Sequence, residues 1–95
     1  MADLEQQGAH RLEFESPHFL QSLFAHDEKL LRELESTFGV VVTTRDGWVK
    51  IHGDEGGIAR AREIFDRLEA ARRQGNEISS HTFRFALDEV ERDEP

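Results

Sequence analysis

The stretch VVVTTRDGWVKIH, residues 40–52, carries the strongest fold signal in the chain. Its first part, residues 40–44, is rich in β-branched side chains and predicts a strand, and residues 48–52 predict the returning strand. Between them, residues 45–47 (Arg-Asp-Gly) predict a hairpin turn, because an Asp-Gly pair tolerates the positive φ angles that a type I′ turn needs. The centre of the chain is therefore predicted to be a β-hairpin.

Apolar residues at helical spacing flank this hairpin on both sides. Before it, Ser16-Pro17 predicts the start of one helix, and a second helix is predicted to end at Gly39. After it, a long amphipathic helix is predicted to stop at Gly75, and Ser79 or Ser80 is predicted to cap a last helix. The apolar positions of the four helices are, in order, Phe19, Leu20, Leu23 and Phe24; Leu30, Leu31, Leu34 and Phe38; Ile58, Ala61, Ile64, Phe65, Leu68 and Ala71; and Phe83, Ala86, Leu87 and Val90.

Leu12 and Phe14 alternate with charged residues near the start and predict a half-buried strand over residues 10–16. The element order is then strand, helix, helix, strand, strand, helix, helix. This order predicts an α+β fold, with a three-stranded antiparallel sheet and the helices on one face. Residues 1–9 are predicted to be a disordered lead-in, residues 10–91 a single domain, and residues 92–95 the start of an acidic linker.

Charge and composition exclude several classes of protein. Twelve Lys and Arg against twenty Asp and Glu give a net charge of −8, which does not suit a generic basic binder of nucleic acid or membrane surfaces. No run of about 18 apolar residues is present, so we expect no membrane span and no membrane partner. The chain has no cysteine and no secretory signal at its start. These features predict a cytoplasmic protein without disulfides or thiolate zinc sites.

The sequence contains no recognisable catalytic constellation. Its five histidines are scattered, without the spacing of a metal-binding pair on a helix, so no metal site is predicted. The stretch GDEGG, residues 53–57, lacks the Gly-Lys-Ser/Thr ending of a P-loop, and its two acids would repel a phosphate. We therefore expect this chain itself to have no enzymatic activity, no catalytic residues and no cofactor.

The stretch AHDEKLLRELESTFGVVV, residues 25–42, has the layout of an RNA-binding motif. KH domains carry Gly-x-x-Gly here, then two apolar helix positions three apart, a glycine that ends the helix, and a strand. Ala25 and Glu28 stand at the two glycine positions, and Leu31, Leu34 and Gly39 stand at the others. Together with the order of the elements, this spacing resembles a type I KH topology.

A narrower resemblance covers residues 12 to about 90. The strand LEFES, the junction His26-Asp27-Glu28, the Arg-Asp-Gly hairpin and the Gly-Asp that follows Ile51-His52 are similar to the N-terminal domain of PhoH-like proteins, bacterial ATPases named for phosphate starvation. That family carries its P-loop ATPase domain after this one. The resemblance implies that the chain is an excised N-terminal domain. Its parent would be an ATPase that uses ATP and magnesium, and its partners would be that ATPase domain and RNA.

The candidates for nucleic-acid binding follow from this resemblance and from their charge. They are Ala25, His26, Asp27, Glu28, Lys29, Arg32, Arg45 and Lys50. An alternative interpretation gives the acidic junction a structural role only, with Asp27 capping the second helix and Glu28 favouring its dipole. Trp48 is expected to pack in the core or on the hairpin, and the alternative is that it stacks on a base.

A second group of candidates lies on the long helix, where residues 58–75 hold five arginines against three acids. Arg60, Arg67 and Arg73 are predicted to point to solvent and to form an interaction face. The alternative is that the arginines pair with Glu63, Asp66 and Glu69 at helical spacing. Two functions are thus carried forward. The domain either assists RNA engagement by a PhoH-like ATPase, binding RNA weakly alone, or acts as a protein-interaction or homo-oligomerisation module without nucleic acid.

Overall fold

The computed structural model describes residues 7–93. It confirms the predicted α+β fold, with a three-stranded antiparallel sheet of order β1-β3-β2 and four helices, an arrangement consistent with a KH-like fold. The elements are β1 (Gln7–Glu13), α1 (Pro17–Leu23), α2 (Glu28–Phe38), β2 (Val41–Arg45), β3 (Trp48–Asp54), α3 (Glu55–Arg73) and α4 (Ser80–Arg92).

The first strand begins three residues before its predicted start, because its pairing with β3 extends from Glu13 opposite Trp48 back to Gln7 opposite Asp54. It ends earlier than predicted because the chain turns into α1 at Ser16, whose Oγ accepts a hydrogen bond from the Phe19 N–H. Residues 1–6 of the predicted lead-in and residues 94–95 of the predicted linker lie outside the described residues. The last helix itself extends to residue 92.

The side chains of the central strand β3 alternate between a covered face of the sheet and an exposed one. Val49 and Ile51 are fully buried under the helices, whereas Lys50 and His52 between and after them are exposed. Successive side chains of a strand point to opposite faces, so the registers carry this division across all three strands. The helices therefore cover one face of the sheet.

The hairpin turn between β2 and β3 differs from the predicted type I′ turn. Only Asp46, with φ 52°, has a positive φ, whereas a type I′ turn needs positive φ at Gly47 as well. Gly47 instead allows a close approach, since a Cβ there would lie 3.1 Å from the Phe14 carbonyl oxygen. Its own carbonyl accepts a hydrogen bond from the Phe14 N–H at 2.8 Å, which ties the turn to the end of β1.

A single apolar core lies between the covered face of the sheet and the helices. Phe65 and Phe83 are its largest fully buried side chains, one on α3 and the other on α4. The remaining buried apolar residues come from every helix and from β3, with Phe24, Val40 and Ile78 from the connecting segments. Within residues 7–93, every helix is too short or too polar to span a lipid bilayer.

Ion pairs hold α4 against the rest of the domain at its surface. Arg84 donates two hydrogen bonds to the carboxylate of Glu33 on α2, from Nε to Oε1 at 3.0 Å and from Nη2 to Oε2 at 2.7 Å. These hydrogen bonds lower the pKa of the Glu33 carboxyl. Both side chains remain more than one-third exposed, so we expect the pair to orient α4 more than to stabilise it.

The start of α3 packs closely against the end of α2 at Gly57, and this contact can be tested. Replacing Gly57 by alanine would put its Cβ 2.7 Å from the Phe38 carbonyl oxygen and 2.8 Å from Val40 Cγ1. We expect Gly57→Ala to lower the free energy of unfolding by about 1–3 kcal/mol, because a well-packed site cannot absorb an extra methyl group. Urea denaturation followed by circular dichroism measures the change.

Gly56→Ala is the matched control, one residue earlier in the same turn. The nearest atom to its Cβ would be Arg60 Nη1 at 3.5 Å, an ordinary contact. Since alanine is the better helix former, this variant should be as stable as the parent or more stable by up to about 1 kcal/mol. Equal stabilities for the two variants would contradict a close contact between α2 and α3 at this point.

Candidate nucleic-acid interface

The junction between α1 and α2 places a left-handed turn at the candidates Ala25 and His26. Both residues have φ 57°, a conformation that glycine adopts at least cost. The turn is held by backbone hydrogen bonds, from the His26 N–H to the Gln21 carbonyl at 2.9 Å and from the Asp27 N–H to the Phe24 carbonyl at 3.0 Å. The chain thus makes this left-handed turn with two non-glycine residues, of which Ala25 stands at a KH glycine position.

Asp27 is the N-cap of α2, as the structural interpretation of the sequence predicted. Its carboxylate accepts a hydrogen bond from the Lys29 N–H at 3.0 Å, and Glu28 lies in the first turn. Both negative charges favour the helix dipole. They also stand where an anion would approach the helix N-terminus, so this end of α2 disfavours a phosphate.

A groove of about 100 Å³ runs between α2 and β2. Among the described residues, Arg32 alone brings a cationic side chain to its lining, and Glu28 and Glu35 bring two carboxylates. Glu35 Oε2 accepts a hydrogen bond from the Val42 N–H at 2.7 Å, so it occupies the edge of β2. The groove is therefore acidic and partly closed.

Glu35 is not among the predicted site residues, because an acid within a charged helix is usually solvated. It lies seven residues from Val42 along the chain, and only the turn at Gly39 folds α2 back onto β2. No sequence pattern near Glu35 or Val42 predicts this contact.

Arg45 and Lys50 lie away from the groove, on the other side of the sheet. We call that side the open sheet face. Its described side chains include Ala9, Arg11, Glu13, Val41, Thr43, Arg45, Trp48, Lys50 and His52. The structure thus divides the eight nucleic-acid candidates into six at the junction and groove and two on this face.

Trp48 also lies on the open sheet face and outside the apolar core. Its indole is half-buried, and the guanidinium carbon of Arg11 lies 4.5 Å from the ring centroid. Arg45 is opposite Trp48 across the β2–β3 pair, and Lys50 is two residues along β3. Three cationic side chains therefore surround one aromatic ring, with Glu13 as the acid opposite it on β1.

The predicted interaction face on α3 is largely occupied by contacts within the domain. Arg67 pairs with Glu63 at 2.6 Å and reaches Glu89 and Asp93 of the α4 end at 3.2 and 3.4 Å. The Arg67–Glu63 pair bears out the interpretation as a salt-bridged helix. Arg67 is accordingly a contact between α3 and α4 and only about one-third exposed.

The other two arginines of this set differ from each other. Arg73 pairs with Glu69 at 3.0 Å, again at helical spacing, and with Glu15 at 3.5 Å, and its guanidinium lies 5.3 Å from the Phe19 ring. Arg60 is half-buried near the start of the helix. The three arginines therefore do not form a uniform solvated row.

A second cavity, of about 220 Å³, lies beside the junction on the side away from the groove. Its lining residues are His18, Ser22, His26, Arg72, Glu77 and Ile78. The His18 and His26 rings are 5.4 Å apart, and Arg72 Nε donates a hydrogen bond to Ser22 Oγ at 3.1 Å. No group of three or more potential metal ligands comes together anywhere in the part of the chain that the structure describes.

Comparisons with known proteins identify the fold and no family. The chain matches no family model and no curated protein. Among solved structures it is similar to a protein of unknown function from Aeropyrum pernix, with a TM-score of 0.68 and 14 % identity over 93 % of this chain. The match covers 48 % of that protein, so this chain spans about half of its length.

The strain of the left-handed turn at the junction can be tested through the stability of the domain. His26 is exposed and has φ 57°, so His26→Gly removes backbone strain and little packing. We expect it to raise the free energy of unfolding by about 0.5–1 kcal/mol, net of the greater entropy of glycine in the unfolded chain. Thermal and urea denaturation measure the change.

His81→Gly provides the control, since His81 is also exposed but lies in the first turn of α4. There the same substitution should destabilise the domain by about 0.5–1 kcal/mol, the usual cost of glycine in a helix. A loss of stability in His26→Gly similar to that in His81→Gly would mean that the His18–His26 contact outweighs the strain.

Proposed function

We propose that this chain is an accessory KH-like domain of a PhoH-like ATPase, and that it assists RNA engagement by a separate P-loop ATPase domain. The observation that carries the proposal is the placement of Arg11, Arg45 and Lys50 on one sheet face with Glu13 as their acidic neighbour. In a chain of net charge −8, this face offers RNA phosphates a locally positive surface.

RNA binding by the domain alone is weak under this proposal. Three cations neutralise few phosphates, and the remaining acids oppose the approach of a polyanion. The groove of an ordinary KH domain adds little here, because Glu28 and Glu35 line it. The domain therefore contributes an additional contact to a larger protein.

The separate ATPase domain would bind the ATP and magnesium that the resemblance implies for the parent protein. Nothing in the described residues is assigned to either ligand. The role of this chain is to hold RNA near that domain. A cytoplasmic location belongs to the same proposal.

The second candidate function is a protein-interaction or homo-oligomerisation module that binds no nucleic acid. The specific observation in its favour is the acidic, partly closed groove, in which Glu35 occupies the β2 edge that a ligand would need. Arg73, which is exposed and lies at the end of α3, is the remaining candidate of the predicted interaction face.

Titration of the domain with single-stranded RNA across a salt series tests the proposed function. We expect a dissociation constant no tighter than about 10⁻⁵ M near physiological salt. Three phosphate contacts to a single strand predict that the logarithm of the association constant falls with the logarithm of the salt concentration, with a slope of about −2. The intact parent protein should bind more tightly than its ATPase domain alone, as fluorescence anisotropy of a labelled RNA would show.

Two outcomes contradict this proposal. Absence of RNA binding by the domain even at low salt, with equal RNA affinity of the parent with and without it, would favour the interaction module. Sub-micromolar binding by the isolated domain would show that the weak, accessory character is wrong.

A pair of double variants tests whether the groove is a latent RNA site. Glu28→Gln with Glu35→Gln removes two groove carboxylates, and the amide oxygen of the new side chain at position 35 can still accept the Val42 N–H. Glu77→Gln with Glu91→Gln removes two exposed carboxylates outside the groove. We expect the same small rise in RNA affinity for both pairs, since only net charge changes. A markedly larger rise for the first pair would place RNA in the groove.

A further inference from the structure

We propose that the open sheet face is a stacking platform for single-stranded nucleic acid, with Trp48 as the residue on which a base stacks. This inference rests on the proposed function and names the surface, the class of ligand and the contact residue. Phosphates on either side of the stacked base would be contacted by Arg11, Arg45 and Lys50. The α2–β2 groove takes no part.

The strand registers place the four side chains close together. Arg11, Lys50 and Thr43 form one row across the sheet, and Glu13, Trp48 and Arg45 form the adjacent row on the same face. Neighbouring strands lie about 4.8 Å apart, and residues two apart on one strand about 6.6 Å. The cationic groups therefore surround the indole at distances that the phosphates of adjacent nucleotides can span.

The position of Trp48 is unusual for the one tryptophan of a small domain. Seven phenylalanines are available to the core, yet the indole lies outside it on an exposed sheet surface. Its ring is in contact with the Arg11 guanidinium, at 4.5 Å from the centroid. A large aromatic ring on a flat cationic surface is the arrangement that single-strand binding proteins use to stack bases.

Arg11 does not prevent a base from reaching this ring. Its side chain is 51 % exposed, and its ion pair with Glu13, itself 72 % exposed, has a separation of 3.5 Å. Exposed contacts of both kinds are weak, and stacking of a base on an aromatic ring is stronger. A base can therefore displace the guanidinium or stack on its outer plane, and in both cases Arg11 stays within reach of a phosphate.

The chemistry favours a single strand over a duplex and over an acidic protein. A duplex hides the faces of its bases and would offer only phosphates to this surface. An acidic peptide would satisfy the three cations and leave the indole without a partner. Stacking tolerates every base, so we expect little sequence preference.

The test uses Trp48 as its own reporter, since no other tryptophan contributes to the fluorescence of the domain. Titration with eight-nucleotide oligo(U) and oligo(A), as RNA and as DNA, should quench the emission with the same dissociation constant as anisotropy of a labelled strand. A blunt-ended RNA duplex should quench little. A comparison of the RNA strands with the DNA strands shows whether the 2′-hydroxyl contributes to binding.

Two triple variants with the same change in net charge locate the binding surface. Arg11→Gln, Arg45→Gln and Lys50→Gln remove the cations of the open sheet face. Lys29→Gln, Arg32→Gln and Arg62→Gln remove three exposed cations elsewhere, of which Arg32 lines the groove. We expect the first variant to bind oligo(U) at least tenfold more weakly than the unsubstituted domain, with an affinity that hardly depends on salt. The second variant should bind within about threefold of the unsubstituted domain.

Trp48→Leu separates stacking from charge. It should weaken oligo(U) binding about fivefold to tenfold by anisotropy and leave the salt slope unchanged, because the three cations remain. Circular dichroism and urea denaturation confirm that each variant is folded. This combination of lost affinity and unchanged slope is not expected from a merely structural role.

The failures of the two proposals are distinguishable. Equal losses in both triple variants, or binding without quenching, would overturn the stacking platform while RNA engagement stands. Absence of binding by the unsubstituted domain of this chain would overturn the proposed function as well. If a poly-glutamate peptide competes as well as oligo(U) at equal charge, the face is a surface for acidic proteins and the inference is wrong.

Discussion

The hydrogen-bonded position of β3 between β1 and β2 is the constraint on which the rest of the structure depends. Because the side chains of a strand alternate, burying Val49 and Ile51 places Trp48, Lys50 and His52 on the opposite face. The helices cover the first face and complete the core. The second face stays exposed, and the neighbouring strands add their own outward side chains to it.

The junction between α1 and α2 shows how one set of residues serves stability and opposes binding. Asp27 caps α2 and Glu28 complements its dipole, so the helix begins well. The same charges make its N-terminus a poor site for phosphate. Glu35 extends the effect to the β2 edge, where it accepts a backbone N–H. A KH-like arrangement of elements thus surrounds an acidic groove.

Arginine has two different environments in this domain. Arg67 and Arg84 pair with carboxylates of other elements and orient α4. Arg11 and Arg45 lie on the open sheet face, where one acid stands opposite an aromatic ring. Net charge alone does not describe such a molecule, because opposite charges are sorted onto different surfaces. The local potential of a face is what a charged ligand encounters.

Local sequence determined the elements of this protein, and tertiary structure decided its surfaces. The hairpin, the Ser16 and Ser79 caps and the Gly39 helix end follow from residues near one another in the chain, whose preferences act over a few positions. The turn type at Asp46 did not follow, since Gly47 is set by its approach to Phe14. Likewise, Glu35 meets Val42, Arg67 meets Glu89, and Arg45 and Lys50 join Arg11 and Trp48 only after the strands pair and the helices pack. Periodicity states which side chains share a face of one element, but the contacts between elements depend on how those faces meet.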